Sequence, residues 1–275
     1  MASDADGAGQ GKRKTMRAMN IAATGMQAQQ TNVEVIAHNI ANVSTTAFTR
    51  RKAEFQDLLY QSAERVGSSS SEAGTLLPVG TQVGLGVRSS EINLITLQGT
   101  LQETGNIYDL ALEGRGYFGI NLPDGTVAYT RDGTFKLSNQ GQIVTSEGYP
   151  VQPAINIPVE VRDVTINQAG EVLVTQANGQ QQNVGRFELF TFPNEAGLEA
   201  IGGNKFLETE ASGQPNQGLP TDPGYGKLRQ YYLEASNVNV VQEITQLIAA
   251  QRAYEMNSKV IEATDQMLQT TNNVR

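Results

Sequence analysis

A chain of 275 residues is long enough for one large domain or two modest ones, and its net charge of −8 argues against a nucleic-acid role, which calls for a clustered basic surface. With no cysteine and a single histidine, disulfides, thiolate metal sites and the commonest nucleophile–base pairs are excluded, and no cofactor is expected. No apolar run approaches the roughly 20 residues that span a bilayer, so direct membrane insertion is not expected.

Residues 1–15 are polar and glycine-rich, with a Lys12-Arg13-Lys14 cluster. They lack the apolar segment of a secretory signal and read as a disordered extension. From Met16 an apolar stripe recurs at intervals of seven: Met19, Met26, Val33 and Ile40, widened by Ala22, Ile36 and Val43. Seven residues are nearly two helical turns, so the pattern predicts an amphipathic helix, mildly weakened by Gly25. The opposite face is amide-rich (Gln27, Gln29, Gln30, Asn32, Asn39, Asn42), and between residues 18 and 47 the only formal charge is Glu34. Helix faces in water ordinarily carry Lys and Glu. In a homopolymer a charge facing its own symmetry mate meets its like, whereas amides donate and accept hydrogen bonds without that penalty. The uncharged face therefore points to self-assembly. His38 lies on this helix without a cysteine, second histidine or neighbouring carboxylate to make it a metal ligand.

Residues 50–61 read as a short segment with a helical start, its apolar face formed by Phe55, Leu58, Leu59 and Tyr60. Residues 62–100 form an extended arm or linker. It holds the serine run 68–71, several glycines, and Val79, Val83, Leu85 and Val87 in a hairpin-like alternation. From residue 101 to 233 the period changes to two, as in Leu110/Leu112, Ile155/Ile157/Val159/Val161, Val172/Val174 and Phe187/Leu189. Turn dipeptides such as Asp124-Gly125, Gln140-Gly141 and Ala169-Gly170 recur between the runs. This predicts an all-β antiparallel domain. Asp124 and Asp132 read as turn residues, because the spaced oxygen ligands of a calcium loop are missing. Gly114-Arg115-Gly116 reads as tight packing or a bulge, not a dinucleotide fingerprint. Glu208, Glu210 and Asp222 leave a carbohydrate-binding or hydrolysing β protein as the reading of another class.

The last forty residues carry a second stripe at intervals of seven: Val240, Leu247, Tyr254, Ile261 and Leu268. Ser236 and Asn237, good N-cap types, predict a helix starting there. From 236 to 251 only Glu243 is charged. The two stripes predict terminal helices paired as a coiled-coil-like rod, with the all-β antiparallel domain inserted between them: a mixed α and β chain. The expected organisation is an extension (1–15), a helical core (16–61 with 234–275), an arm (62–100) and a β domain (101–233).

Several stretches resemble the bacterial flagellar basal-body rod and hook protein family. They are residues 16–26 (MRAMNIAATGM), 39–48 (NIANVSTTAF), 109–118 (DLALEGRGYF), 129–133 (YTRDG), 234–241 (EASNVNVV) and 251–255 (QRAYE). Residues 55–60 and 77–88 resemble the arm of subunits that form a straight, stiff rod; a proximal rod or hook subunit is the alternative. The resemblance implies a non-enzymatic subunit that polymerises into a hollow helical drive shaft carrying torque through the periplasm. Its implied partners are copies of itself, neighbouring rod and hook proteins, surrounding ring proteins and the flagellar export apparatus. Phe55 and Leu59 resemble the apolar spacing of an export signal in such subunits. Two residues depart from the family pattern: Ala47 stands where glycine is usual, and His38 where asparagine is usual.

Overall fold

The computed structural model describes residues 3–62, 82–158, 161–177 and 179–273; residues 63–81 of the expected arm, with its serine run and Val79, and Val159 lie outside the described residues. Two long helices, α1 (Ser3–Ala41) and α2 (Val240–Asn273), flank a region of many short antiparallel strands. The chain forms two compact units. One holds Met1–Ile40, Arg51–Asn93 and Val240–Arg275; the other holds Ala41–Arg50 and Leu94–Asn239.

In the helical unit, α1 begins at Ser3, so residues 3–15, expected as an extension, are its first turns. No proline interrupts them. Residues 51–57 are a strand rather than a helical start, because the segment Val87–Leu94 pairs with Arg51–Asp57. Likewise Tyr60–Ser62 pairs antiparallel with Gln82–Gly84. The arm residues 82–93 therefore fold with the helical unit, and 83 and 87 do not pair with one another as a hairpin. Gly86, at φ +125°, lets the arm lie against α1, for a Cβ there would collide with Thr24 Oγ1.

The second unit is built on a seven-stranded sheet. Its main path runs Glu199–Gly202, Lys205–Leu207, Val127–Thr130, Tyr117–Asn121, Leu189–Thr191 and Asn216–Gly218, with Val151–Gln152 also paired to Tyr117–Asn121. Both faces of this sheet are covered. Phe118 and Leu189 enter one apolar cluster with Leu110, Leu112, Phe135 and Ile155, while their neighbours Tyr117 and Phe190 enter a second with Tyr129, Phe192 and Phe206. Successive strand residues point to opposite faces, which is why the strands read as apolar runs where both faces are buried. A three-stranded sheet, Val161–Ile166, Glu171–Gln176 and Gln181–Arg186, contributes Val164, Ile166, Val172 and Val174 to the first cluster. The last stretch of the β region is two strands: Tyr231, at φ +67°, separates Lys227–Gln230 from Tyr232–Glu234. Those two pieces pair with different strands, Leu110–Glu113 and Leu101–Glu103.

Burial pushes the Tyr129 phenol from 10.0 up to about 12, helped by the nearby Glu208 carboxylate. Tyr117 is raised as well, by burial and then by Glu195. Both phenols keep their protons in the folded unit at a pH where an unfolded chain loses them. The contribution of Tyr129 is full below pH 10.0 and disappears as pH rises toward about 12. The β unit is therefore expected to lose stability across that window, as measured by denaturant unfolding with tyrosinate absorbance, and Tyr129→Phe should flatten the dependence.

Candidate assembly surface and connector clamp

On α1 the residues read as the apolar stripe, Met19, Met26, Val33 and Ile40, are half-buried, and the fully buried positions are Ala22, Ala28, Val35, Ile36 and Asn39. On α2, Leu247, Ile261 and Leu268 are half-buried, whereas Val240 and Tyr254 are 37% and 43% exposed. The buried positions of α2 are Glu243, Ala250 and Thr264, and Asn257 is half-buried. These four again stand seven apart, each three or four residues from a residue of the apolar stripe. A hydrophobicity reading passes over them because they are small or polar; their spacing was the available signal. At Gly25 a Cβ would fall 2.8 Å from Asn257 Nδ2, so α1 and α2 approach closely at that height. Higher along the pair, Asn39 Nδ2 donates to Glu243 Oε2 at 3.0 Å and to the Arg51 carbonyl at 2.7 Å, and Asn39 Oδ1 accepts the Arg51 N–H at 2.9 Å.

Away from these buried positions, α2 carries a second apolar set in water: Val241, Ile244, Ile248, Met256, Val260 and Met267, each at least 45% exposed. Stepping 100° per residue from Glu243 places Val241 and Ile248 opposite the buried positions and Ile244, Met256, Val260 and Met267 to either side, so exposed apolar residues occupy much of the helix outside the buried stripe. Exposed apolar surface of this extent marks an interaction surface. Phe55 is half-buried on its strand, and Leu59, in the connection after it, is 82% exposed. His38 is an exposed residue of the last turn of α1.

The chain passes between its two units at Ile40–Ala41, Arg50–Arg51, Asn93–Leu94 and Asn239–Val240. Within the β unit, the segments leading to those passages are tied together by side chains. The buried Glu234 accepts the Gly99 N–H on Oε1 (2.9 Å) and Arg131 Nε on Oε2 (2.9 Å), while its carbonyl accepts the Ala47 N–H at 2.8 Å. Arg131 also donates to the carbonyls of Gly116 (3.0 Å) and Gly114 (3.1 Å). Gly114, at φ +117°, has no room for a side chain: a Cβ would lie 2.9 Å from Gly226 Cα. Asn237 completes the clamp. Its Oδ1 accepts the Arg50 N–H, and its Nδ2 donates to the carbonyls of Ile95 and Leu97, all at 2.7 Å. This commits 234–239 to the clamp and delays the start of α2 from Ser236 to Val240. Ala47 is buried at φ +54°, so the turn keeps the left-handed conformation that glycine would adopt, and Asn204 Nδ2 secures it through the Thr46 carbonyl at 2.6 Å.

Three of the carboxylates weighed for other chemistry serve turns. Asp124 Oδ1 accepts the N–H of Thr126 at 2.9 Å, Asp132 Oδ1 that of Thr134 at 3.1 Å, and Asp222 Oδ2 that of Leu219 at 3.2 Å.

Two terminal helices in one unit, with an antiparallel β unit carried between them, define a structural chain organised from both its ends. Three family models match it: a flagella basal body rod protein model over residues 19–49, the D1 domain of the flagellar hook protein FlgE/F/G over 111–174, and the C-terminal part of flagellar basal body rod FlgEFG proteins over 229–274. Flagellar basal-body rod proteins FlgG are similar along nearly the whole length. That of Caulobacter vibrioides is 56% identical, covering 94% of this chain and 100% of the relative. That of Agrobacterium fabrum is 50% identical over 92% and 97%, and that of Bacillus subtilis 38% over 94% and 99%. The chain belongs to the flagellar basal-body rod protein family. The relatives are named as rod proteins, and none of the matching families is catalytic.

Glu234→Ala strands the Arg131 guanidinium in a buried site and is expected to destabilise the β unit by about 3–5 kcal/mol in urea unfolding. Ala47→Gly is expected to act the other way. It relieves roughly 1–2 kcal/mol of left-handed strain against ~0.5–1 kcal/mol of added unfolded-state freedom, a net gain of about 0.5–1 kcal/mol in the same measurement.

Proposed function

We propose that the chain is a non-catalytic structural subunit of the flagellar distal rod, polymerising into a hollow helical drive shaft that carries torque from motor to hook. The observation that supports this reading best is the surface of α2: small and polar residues are buried along one narrow stripe, and bulky apolar residues are exposed around much of the rest. In this reading α1 and α2 of one chain pair as a coiled-coil-like rod, with Met19, Met26, Val33 and Ile40 flanking the seam from α1 and Val240, Leu247, Tyr254, Ile261 and Leu268 from α2. The free apolar face and the uncharged amide face meet other subunits. Neighbouring rod and hook proteins continue the shaft at its ends, ring proteins surround it, and the subunit reaches the rod through the flagellum's own export apparatus. Phe55 and the exposed Leu59 then serve the export signal.

Leu247→Asp or Ile261→Asp places a carboxylate in the packed helical layer, at a cost of several kcal/mol in each subunit. Negative-stain microscopy of concentrated protein should show tubes for the natural sequence and none for either variant, while circular dichroism shows the β unit still folded. Normal motility in cells carrying either variant would refute the packing role.

A further inference from the structure

The apolar stripe of α2 does not by itself set where along α1 the helix sits. Val240, Leu247, Tyr254, Ile261 and Leu268 repeat every seven residues, and so do Ala250, Asn257 and Thr264 between them. Sliding α2 by one heptad still presents an apolar residue at the stripe positions and a small or polar one at the positions between. In a coiled coil, such degeneracy is broken by a buried polar residue at a single seam position.

Glu243 fits that description. It is fully buried, it is the carboxylate of the first turn of α2, and its Oε2 accepts Asn39 Nδ2 at 3.0 Å. Asn39 is itself 1% exposed and is fixed in height by two bonds to the Arg51 backbone, 2.7 Å from Nδ2 and 2.9 Å to Oδ1. Its amide is thereby immobilised, so it can meet a carboxylate at one level only. A slip of one heptad in one direction brings Ala250 to that level, and in the other leaves no residue of α2 there, since the helix begins at Val240; either takes Glu243 away from Asn39.

We infer that the Glu243–Asn39 pair is the register key of the terminal helices: it selects one alignment of α2 on α1. It also discriminates against slipped pairing with the identical helices of neighbouring copies. The inference rests on the pairing of α1 with α2 within one chain, as proposed above.

The absence of cysteine in the sequence makes the register directly readable. Full-length chains carrying Gly25→Cys with Asn257→Cys report the observed alignment, and Gly25→Cys with Ala250→Cys or Thr264→Cys report slips of one heptad in either direction. After mild oxidation under assembling conditions, non-reducing gels separate cross-links within a chain from those between chains. In the natural background the Asn257→Cys pair should cross-link within the chain about tenfold more than either slipped pair. Glu243→Gln, which still offers an acceptor to Asn39, should keep that pattern. The double variant Asn39→Leu/Glu243→Leu also loses the two Arg51 backbone bonds and should be somewhat less stable, and it should raise the slipped cross-links to the level of the aligned one. A purely structural role predicts the same loss of stability with an unchanged cross-linking pattern. Retention of the single register in the double variant overturns the inference while leaving the helix pairing intact. Failure to cross-link in any register in the natural background overturns the pairing itself, and the register key with it.

Discussion

The interaction on which the rest depends is the buried contact between Arg131 and Glu234, with Nε 2.9 Å from Oε2. Around it the β unit gathers the backbone of Gly99, Gly114, Gly116 and Ala47, none of which has its partner there through a regular sheet ladder. A chain that passes repeatedly between two units leaves backbone donors and acceptors at each passage, and buried ones must find partners. Side chains with several hydrogen-bonding atoms meet that need: one carboxylate, one guanidinium, and the Asn237 amide that binds three further backbone groups. The ion pair contributes less as net stability than as a constraint on which segments lie together, since a buried pair is costly chiefly when half of it is missing.

That constraint has a rigid support. The central sheet is covered on both faces by apolar clusters whose aromatic rings meet edge to face, with Phe118 and Phe135 5.1 Å apart on one side and Tyr129 and Phe192 4.8 Å apart on the other. Strand Tyr117–Asn121 feeds both clusters, and Arg131 follows directly on Val127–Thr130, which pairs with it. The guanidinium, lying 5.8 Å from the Tyr117 ring centre, is thus held by the core itself. Within the β unit the connector segments are in this way fixed to a close-packed sheet.

The helices follow a different logic. The buried positions of α2 are small or polar, and much of its bulky apolar surface faces water. Such a helix is poorly stabilised within one subunit, because helices in proteins draw most of their stability from packing an apolar face. In a polymer of identical chains those exposed residues gain a partner, and the scarcity of charge over residues 18–47 and 236–251 limits like-charge repulsion between copies there. The same features that weaken the single subunit favour its assembly.

Periodicity is local, and local information determined much of this protein. The heptad spacing marked both terminal helices, the period of two and the turn dipeptides marked the β region, and the motifs at residues 16–26, 39–48 and 234–241 marked the family. Where the strands of residues 51–57 and 82–94 lie was not legible, because strand pairing depends on which distant segment arrives beside them. Nor was the true start of α2: Ser236 and Asn237 are good caps in isolation, but Asn237 is drawn instead to Arg50, Ile95 and Leu97. The buried seam of Glu243, Ala250 and Thr264 escaped a reading based on hydrophobicity, since a close approach of helices selects size and hydrogen bonding rather than apolarity. Sequence alone determined the two terminal helices, the β character of the region between them and the kinship of the chain. The tertiary structure decided which polar side chains are buried, because a polar group can be buried only where its partner, often a hundred or more residues away, completes its hydrogen bonds.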